Sequence, residues 1–394
     1  MDSINLRYDL EDVEKRITNP EHMAGRTLLT VNPHLNSSRA IMFTSHQSQA
    51  VNLNEPEIPK VMTNYENIVG KHSTGYWQAK TEYEVAYKIP KFANGKDDNH
   101  LYTLILYNRK KDKYKMIQKK IVEDLTEKFG FAYKNDNMDS KEPGDIINEG
   151  EVLYSSTSYD KDLNYRYGKN VTVMYTIENT TFEDSICCSQ SFADSMVSKE
   201  IETVEVGLND NDILCNIYGD ADTYKAFPDI GELVIDKTIC CRRRIHNSQL
   251  LYDLKKSNLR KKNSNDRLFY NEGRVVDIII KSNKELDEIP NNAFNKQIKY
   301  YMGLQKEYYT KLKDACKEIM ESGSKFSNDI AYWYKRSSEI LDPTVKWRDE
   351  NNSIFNNMVI EFQIERNSPL CIGQKITGRK KMRHIPVMVY TKPL

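Results

Sequence analysis

Two adjacent carboxylates, Glu183 and Asp184, are the first candidates for cation chemistry in this chain. They follow a strand-like run at 171–175 and precede the small and apolar residues Ser185 to Cys187. Neighbouring side chains on a strand point to opposite faces, so both acids ionise readily only if one meets solvent and the other a cation or a hydrogen-bond donor. A solvated turn is the simpler interpretation, and the surrounding sequence has to decide between the two.

Three motifs surround this pair in a fixed order. They resemble the Asn-Arg-Ala-Leu-Met…Gln-Arg-Gln-Ala-Val, Gly-Gln-Asn-x-x-Val-Ala…Phe-Glu-Asp-Ser-Ile and Gly-Asp-Lys-x-x-Gly-Arg blocks of the β subunit of multisubunit, DNA-dependent RNA polymerases. The first motif (38–51) contains Ser38-Arg39-Ala40-Ile41-Met42 and Gln47-Ser48-Gln49-Ala50-Val51. The second motif (168–186) contains Gly168-Lys169-Asn170-Val171-Thr172-Val173 and Phe182-Glu183-Asp184-Ser185-Ile186. The third motif (373–379) is Gly373-Gln374-Lys375-Ile376-Thr377-Gly378-Arg379.

The resemblance implies nucleotidyl transfer, in which an RNA 3′-hydroxyl attacks an α-phosphate with the help of two Mg²⁺ ions. The family holds its catalytic ion with an Asn-Ala-Asp-Phe-Asp-Gly-Asp motif of the β′ subunit. This sequence has no such motif, so we expect the main Mg²⁺ ligands on a partner β′ chain. Glu183 and Asp184 match the acidic pair that approaches the second Mg²⁺ through water. Arg39 matches the arginine that meets the triphosphate, and Lys375 matches a lysine at the RNA 3′ end.

Other matched positions imply further contacts with RNA or nucleotide, at Gln47, Gln49 and Arg379. The chain departs from the family at 380–384, where Lys-Lys-Met-Arg-His replaces His-Gly-Asn-Lys-Gly. Arg383 stands where the second active-site lysine belongs and keeps the positive charge, although both glycines of the turn are lost. This departure supports an alternative, a degenerate, non-catalytic paralogue that serves as a structural or nucleic-acid-binding component.

The regions that a cellular β subunit carries before the first motif and after the third have no counterpart here. We therefore expect a split β subunit of the giant-bacteriophage type. Its expected partners are the remaining β fragments, the β′ fragments, the DNA template, the nascent RNA, the nucleoside triphosphates and a promoter-specificity factor at a flap. Both a virion-packaged enzyme and one made for late transcription are compatible with the sequence.

The amino-acid composition bears on nucleic-acid binding, on zinc sites and on membrane insertion. Lysine plus arginine equals aspartate plus glutamate, at 57 each in 394 residues, so any nucleic-acid surface must be local. None of the seven cysteines forms a C-x₂-C pair, which argues against zinc and for buried thiols in a reducing compartment. No apolar run reaches the ~18 residues of a membrane span, so we expect a protein of the bacterial host cytoplasm that does not contact a membrane.

The pattern of the chain predicts a mixed α/β, strand-rich fold, and the resemblance implies double-psi β-barrel halves around a flap-like insertion. Alternating residues predict strands at 81–89 and 101–107. The basic stretch 110–120 favours a solvated helix face over a nucleic-acid patch. The predicted segments are an N-terminal helical active-site approach (1–69), a β-rich segment (70–145), the first barrel half (146–190), the insertion (191–350) and the second barrel half (351–394).

Within the insertion, glycine-bounded apolar runs predict strands at 203–207, 231–235 and 273–280, and helical spacing predicts helices at 292–313 and 329–340 joined through Gly323. Asp220 and Asp222 fit a turn better than a metal site. The three arginines at 242–244 are candidates for a phosphate contact, whereas the lysine run at 255–262 is typical of a solvated loop.

Overall fold

The structure is a computed structural model that describes part of the chain. The helix expected to carry the first motif lies outside the described residues. The described ranges are 53–60, 67, 75–92, 101–122, 129–166, 168–175, 186–209, 212–220, 222–244, 266–347, 358–373 and 387–390.

Eighteen strands are found within these ranges. In the first half of the chain they are β1 (Tyr76–Gln78), β2 (Tyr83–Pro90), β3 (Tyr102–Asn108), β4 (Lys113–Gln118), β5 (Phe129–Gly130), β6 (Tyr133–Lys134), β7 (Ile146–Ile147), β8 (Val152–Ser156), β9 (Thr172–Tyr175) and β10 (Ile186–Cys188). They continue as β11 (Val197–Leu208), β12 (Asp212–Leu214), β13 (Thr238–Arg244), β14 (Arg267–Tyr270), β15 (Arg274–Lys281), β16 (Lys325–Phe326), β17 (Met358–Pro369) and β18 (Val387–Tyr390).

The helices in the described ranges are few. Two are short and two are long, and the N-cap Ser189 starts α2 by accepting a hydrogen bond from the Phe192 amide. The helices are α1 (Asp136–Asp139), α2 (Gln190–Ser195), α3 (Lys296–Glu321) and α4 (Asn328–Leu341), with 3₁₀ turns at Ile235–Lys237 and Ala293–Asn295. The two helices predicted in the insertion are confirmed, and α3 extends eight residues beyond its predicted end. Gly323 follows α3 with a φ of 81°, as a turn between helices requires.

The largest sheet has five strands in the order β16-β4-β3-β2-β7. Both strands predicted at 81–89 and 101–107 are confirmed, and they pair antiparallel as β2 and β3. The helix face predicted at 110–120 is wrong, because this stretch is a turn followed by β4, which pairs with β3 from Thr103–Gln118 to Asn108–Lys113. Met116 and Ile117 of β4 are buried, and cross-strand pairing with β3 overrides the basic composition.

The second sheet has the order β15-β17-β11-β5. β11 and β17 pair antiparallel over twelve residues, so the predicted insertion and the segment after 350 share this sheet. The strands predicted at 203–207 and 273–280 are confirmed within β11 and β15. The strand predicted at 231–235 is wrong: Gly231 has a φ of 88°, only Leu233 forms a bridge with Arg274, and a 3₁₀ turn follows.

Three smaller three-stranded sheets complete the described architecture, in the orders β1-β8-β6, β10-β18-β9 and β12-β13-β14. The protein is therefore a strand-rich mixed α/β chain, as predicted. Within the described ranges no sheet closes into a barrel. Asp220 forms the expected turn, since its carboxylate accepts hydrogen bonds from the amides of Asp222 and Thr223.

Helix α3 spans the two large sheets with a single apolar stripe. Ile298 and Tyr301, near its start, pack in the core of the four-stranded sheet together with Ile278 and Phe362. Further along, its buried side chains pack on the five-stranded sheet. The buried positions recur at spacings of three and four, which keeps them on one face: Ile298, Tyr301, Gln305, Tyr308, Leu312, Ala315, Cys316 and Ile319.

A buried ion pair crosses between the same two sheets. Lys91 follows β2 directly, and its ammonium donates to Asp277 Oδ2 on β15. Only 14% of the Lys91 side chain and 4% of the Asp277 side chain are exposed. A buried charge without its partner is strongly destabilising, so the pair favours one placement of the five-stranded sheet against the four-stranded sheet.

We expect Lys91→Ala to lower the free energy of unfolding by about 3–5 kcal/mol, because Asp277 is then left buried without its cation. The measurement is urea unfolding. The matched control is Lys311→Ala, whose partner Glu307 is half exposed, with an expected loss of about 0–1 kcal/mol. Replacing both members of the pair, as Lys91→Met with Asp277→Leu, should restore much of the lost stability. Equally small losses of stability in the Lys91 and Lys311 variants would contradict the claim that the Lys91–Asp277 pair is buried.

Candidate functional site

The residues predicted to contact nucleotide, RNA or metal lie outside the described residues. The structure therefore describes the elements on either side of the motifs rather than these side chains, and it leaves their predicted roles as predictions. They are Arg39, Gln47, Gln49, Glu183, Asp184, Lys375, Arg379 and Arg383.

The sheet formed by β9, β18 and β10 joins the second motif to the chain beyond the third. β18 lies between the other two strands, antiparallel to β9 and parallel to β10. Ile186, the last residue of the second motif, is directly paired with Val387. Because β10 and β18 are parallel, the chain enters both strands from the same end of the sheet.

One hydrophobic cluster, here called the junction cluster, collects residues next to all three motifs. Leu53, two residues after the first motif, is 1% exposed and packs with the buried residues Phe192 and Met196. Leu370, three residues before the third motif, packs against the same group. The junction cluster consists of Leu53, Val171, Ile186, Cys188, Phe192, Met196 and Leu370.

Asn170 of the second motif ties this region to the chain that follows the first motif. Its side-chain amide donates to Glu57 Oε2 at 3.1 Å and to the Ile58 carbonyl at 2.9 Å. Its Oδ1 accepts from the Lys60 amide at 3.0 Å, and its own backbone amide donates to Glu57 Oε2. Glu57 also forms an isolated antiparallel β-bridge with Gly168. Asn170 therefore uses both ends of its side chain to hold residues 57–60.

Asn170 belongs to the second motif, but the sequence alone assigns it no role. Nor does the sequence single out its partner Glu57 or the cluster residue Leu53. Glu57 lies more than 110 residues from Asn170 along the chain, and neither Glu57 nor Leu53 belongs to a periodic run. The available signal is the motif itself, since an asparagine side chain carries both a donor and an acceptor and can bridge two backbone groups.

The three arginines considered for a phosphate contact are engaged within the protein. The guanidinium of Arg243 donates two hydrogen bonds to the carboxylate of Asp266, at 2.9 and 2.6 Å. Arg244 donates to Asp212 at 2.9 Å, and Arg242 donates to the Gly207 carbonyl at 2.5 Å. Because each of the three guanidinium groups is hydrogen-bonded within the protein, the structure favours a role in holding β12, β13 and β14 together. The lysine run at 255–262 lies outside the described residues.

The Asp212 side chain is buried between two of these arginines. Burial acts to raise the pKa of Asp212, but hydrogen bonds from Arg244 and the Asn209 amide, with the charges of Arg244 and Arg242, outweigh it and lower that pKa. A carboxyl whose pKa is lowered in the folded state stabilises the fold above its unfolded pKa of about 3.9, and this contribution is lost as the pH falls further.

Several general features of the described residues bear on function. All seven cysteines are free thiols; Cys240, Cys241 and Cys316 are buried as expected, whereas Cys371 is exposed. In this part of the chain no three histidine, cysteine or acidic side chains gather as a metal site would require. None of its helices has the length and apolar character needed to cross a membrane.

Comparison with known proteins adds no family: no protein-family model matches the chain, and no curated protein matches its sequence.

We expect Asn170→Ala to lower the free energy of unfolding by about 1 kcal/mol, because residues 57–60 lose the hydrogen bonds of this side chain at the protein surface. Faster amide hydrogen exchange at Lys60 should accompany the loss. The control is Asn148→Ala at an exposed asparagine, with an expected change of about 0.5 kcal/mol or less. An unchanged exchange rate at Lys60 would show that Asn170 does not hold this segment.

The ion pairs of Asp212 predict a pH dependence. At neutral pH, Asp212→Asn should be less stable than the unaltered protein, because the lowered pKa of Asp212 contributes stability above about pH 4. As the pH falls below this value the difference should shrink, because the carboxylate becomes protonated. Urea unfolding at a series of pH values between neutrality and about pH 2.5 measures the difference, and one that stays constant would contradict the prediction.

Proposed function

We propose that this chain is a catalytic-core component of a phage-encoded multisubunit DNA-directed RNA polymerase, a split β subunit. It would position the incoming nucleoside triphosphate and the RNA 3′ end for a β′ partner. The observation that carries this proposal is the sheet in which β18 lies between β9 and β10. That sheet and the junction cluster bring together residues adjacent to all three motifs.

Because β10 and β18 are parallel, residues of the second and third motifs could form one site. Asp184 precedes Ile186 by two residues, and Arg383 precedes Val387 by four. A chain covers at most about 3.6 Å per residue, so these distances along the chain correspond to about 7 and 14 Å. Because Ile186 and Val387 are directly paired, the proposed acids and the proposed cation would lie near the same end of this sheet. This arrangement supports a site that combines the second and third motifs.

The same sheet supports the finer fold proposal, a double-psi β-barrel made of residues 146–190 and 351–394. A barrel built from two halves requires their strands to pair with each other. β18, from the second half, pairs on both sides with strands of the first half, β9 and β10. The intervening residues, with α3 and α4, would form the flap-like insertion that receives a promoter-specificity factor.

The donor set of the second motif fits a magnesium ion, because Mg²⁺ prefers carboxylate oxygens and retains several of its waters. Glu183 and Asp184 would hold the second ion through water, where it would neutralise phosphate charge. Arg39 would bind triphosphate oxygens with two parallel hydrogen bonds, a geometry that lysine cannot reproduce. Lys375 and Arg383 would attract the phosphates at the RNA 3′ end, while Gln47, Gln49 and Arg379 would contact RNA or nucleotide.

The proposal requires partners, because the main magnesium ligands would come from the β′ chain. The remaining β and β′ fragments, DNA template, nascent RNA and nucleoside triphosphates would complete the complex, in the host cytoplasm or packaged in the virion. Affinity purification of this chain from infected cells should recover large polypeptides that contain the Asn-Ala-Asp-Phe-Asp-Gly-Asp motif, together with Mg²⁺-dependent RNA synthesis. A chain recovered without such partners, and without activity, would favour the non-catalytic paralogue instead.

In the reconstituted enzyme we expect Glu183→Gln and Lys375→Ala each to lower the RNA elongation rate about tenfold or more, because each removes a charge placed against reacting phosphates. Assembly, followed by co-purification, should be unchanged. Matched controls are Glu149→Gln and Lys161→Ala, at exposed positions of the same residue types, which should keep full elongation. Full activity in both site variants would overturn the proposed roles.

A further inference from the structure

The turn between β3 and β4 carries an unusual concentration of positive charge. Residues 109–113 read Arg-Lys-Lys-Asp-Lys, and β16 brings Lys325 alongside as the direct partner of Lys113. All the lysines in this group are exposed. We call the group the lysine tip: Lys110, Lys111, Lys113 and Lys325.

Four carboxylates near the lysine tip already have partners within the protein. Asp112 accepts a hydrogen bond from the Tyr107 hydroxyl at 2.9 Å, and Glu84 pairs with Arg109 at 2.7 Å. On α3, Glu318 accepts a hydrogen bond from Tyr87, and Glu321 lies 3.8 Å from Lys317. Among the described residues, no carboxylate forms an ion pair with a lysine of the tip. Their charges are therefore available to an outside partner.

This arrangement has a cost within the folded chain. Lys113 and Lys325 occupy directly paired positions on neighbouring strands, where like charges are destabilising. The chain as a whole has equal numbers of acidic and basic residues, so a general excess of lysine does not explain the pairing. An anionic partner would relieve the repulsion, which is an argument for binding.

Aromatic rings stand at the base of the tip. The rings of Tyr107 and Tyr114 have centroids 4.6 Å apart and planes inclined by 31°, and both side chains are only partly buried. Exposed lysines next to aromatic faces suit single-stranded nucleic acid, whose phosphates meet the charges while its bases stack on the rings. Insertion into a membrane requires apolar side chains, and residues 109–113 have none.

We propose that the lysine tip binds the phosphate backbone of single-stranded nucleic acid, with the ring of Tyr107 as a stacking surface for a base. This inference rests on the β3–β4 hairpin and β16, and it stands whether or not the chain is a polymerase subunit. It also reverses the interpretation of residues 110–120 as a merely solvated face.

The test uses the full chain and a fluorescent 20-nucleotide oligothymidylate, with anisotropy measured over a range of salt concentrations. Replacing all four lysines of the tip by glutamine should reduce the slope of log affinity against log salt by about 3, because each phosphate contact to a single strand contributes about 0.7. Tyr107→Leu should weaken binding about fivefold or more with the salt slope unchanged, because a base loses its stacking partner.

The matched control replaces four exposed lysines on α3 and α4 by glutamine, Lys296, Lys306, Lys311 and Lys335, so that the net charge changes equally. This control should keep the salt slope of the unaltered chain. Circular dichroism establishes that each variant is folded. An equal fall in slope in both quadruple variants, or none in the tip variant, would overturn the proposal. So would binding to vesicles of anionic phosphatidylserine without binding to the oligonucleotide, or no oligonucleotide binding at low salt.

Discussion

The apolar stripe of α3 is the constraint on which the described architecture depends. One helix of 26 residues, about 39 Å long, covers the four-stranded sheet with its first turns and the five-stranded sheet with its last turns. Both sheets must therefore present their apolar faces to the same line of side chains. The Lys91–Asp277 pair joins the two sheets and is compatible with few other positions of one sheet against the other. β17, which belongs to one of these sheets, leads directly to Leu370, just before the third motif.

Sequence patterns predicted the elements whose periodicity is local. The alternation at 81–89 and 101–107 and the helical spacing at 292–313 and 329–340 each correspond to an observed element. The failures have a common physical cause, because a distant strand or a backbone angle decided the outcome. Residues 113–118 become a strand since β3 offers a hydrogen-bonding edge, and 231–235 remains irregular since Gly231 starts it with a positive φ and Asp236 and Lys237 end it likewise. Neither effect can be read from a short window of sequence.

For the candidate site the sequence supplied residue types and their order, and the structure adds contacts between segments far apart in the chain. The motif residues that would touch substrate follow from resemblance alone. The contacts of Asn170 with residues 57–60 and the packing of Leu53 against Met196 join segments separated by more than 100 residues. The pairing of Arg243 with Asp266 across the strands is equally non-local. Arginines that look available in sequence, as at Arg242–Arg244, are hydrogen-bonded to such partners, whereas no carboxylate of the described residues pairs with the lysine tip.

The position of β18 between β9 and β10 also has a consequence for biosynthesis. Val387 follows Ile186 by 201 residues, so β9 and β10 are translated long before the strand that separates them. At about 5–20 residues per second, the ribosome needs roughly 10–40 s to reach β18. During this interval β9 and β10 lack β18, the strand that pairs with both of them in the described sheet, and open strand edges promote aggregation. Protection by a chaperone, or temporary pairing with another segment, would then be part of how this protein reaches its native state.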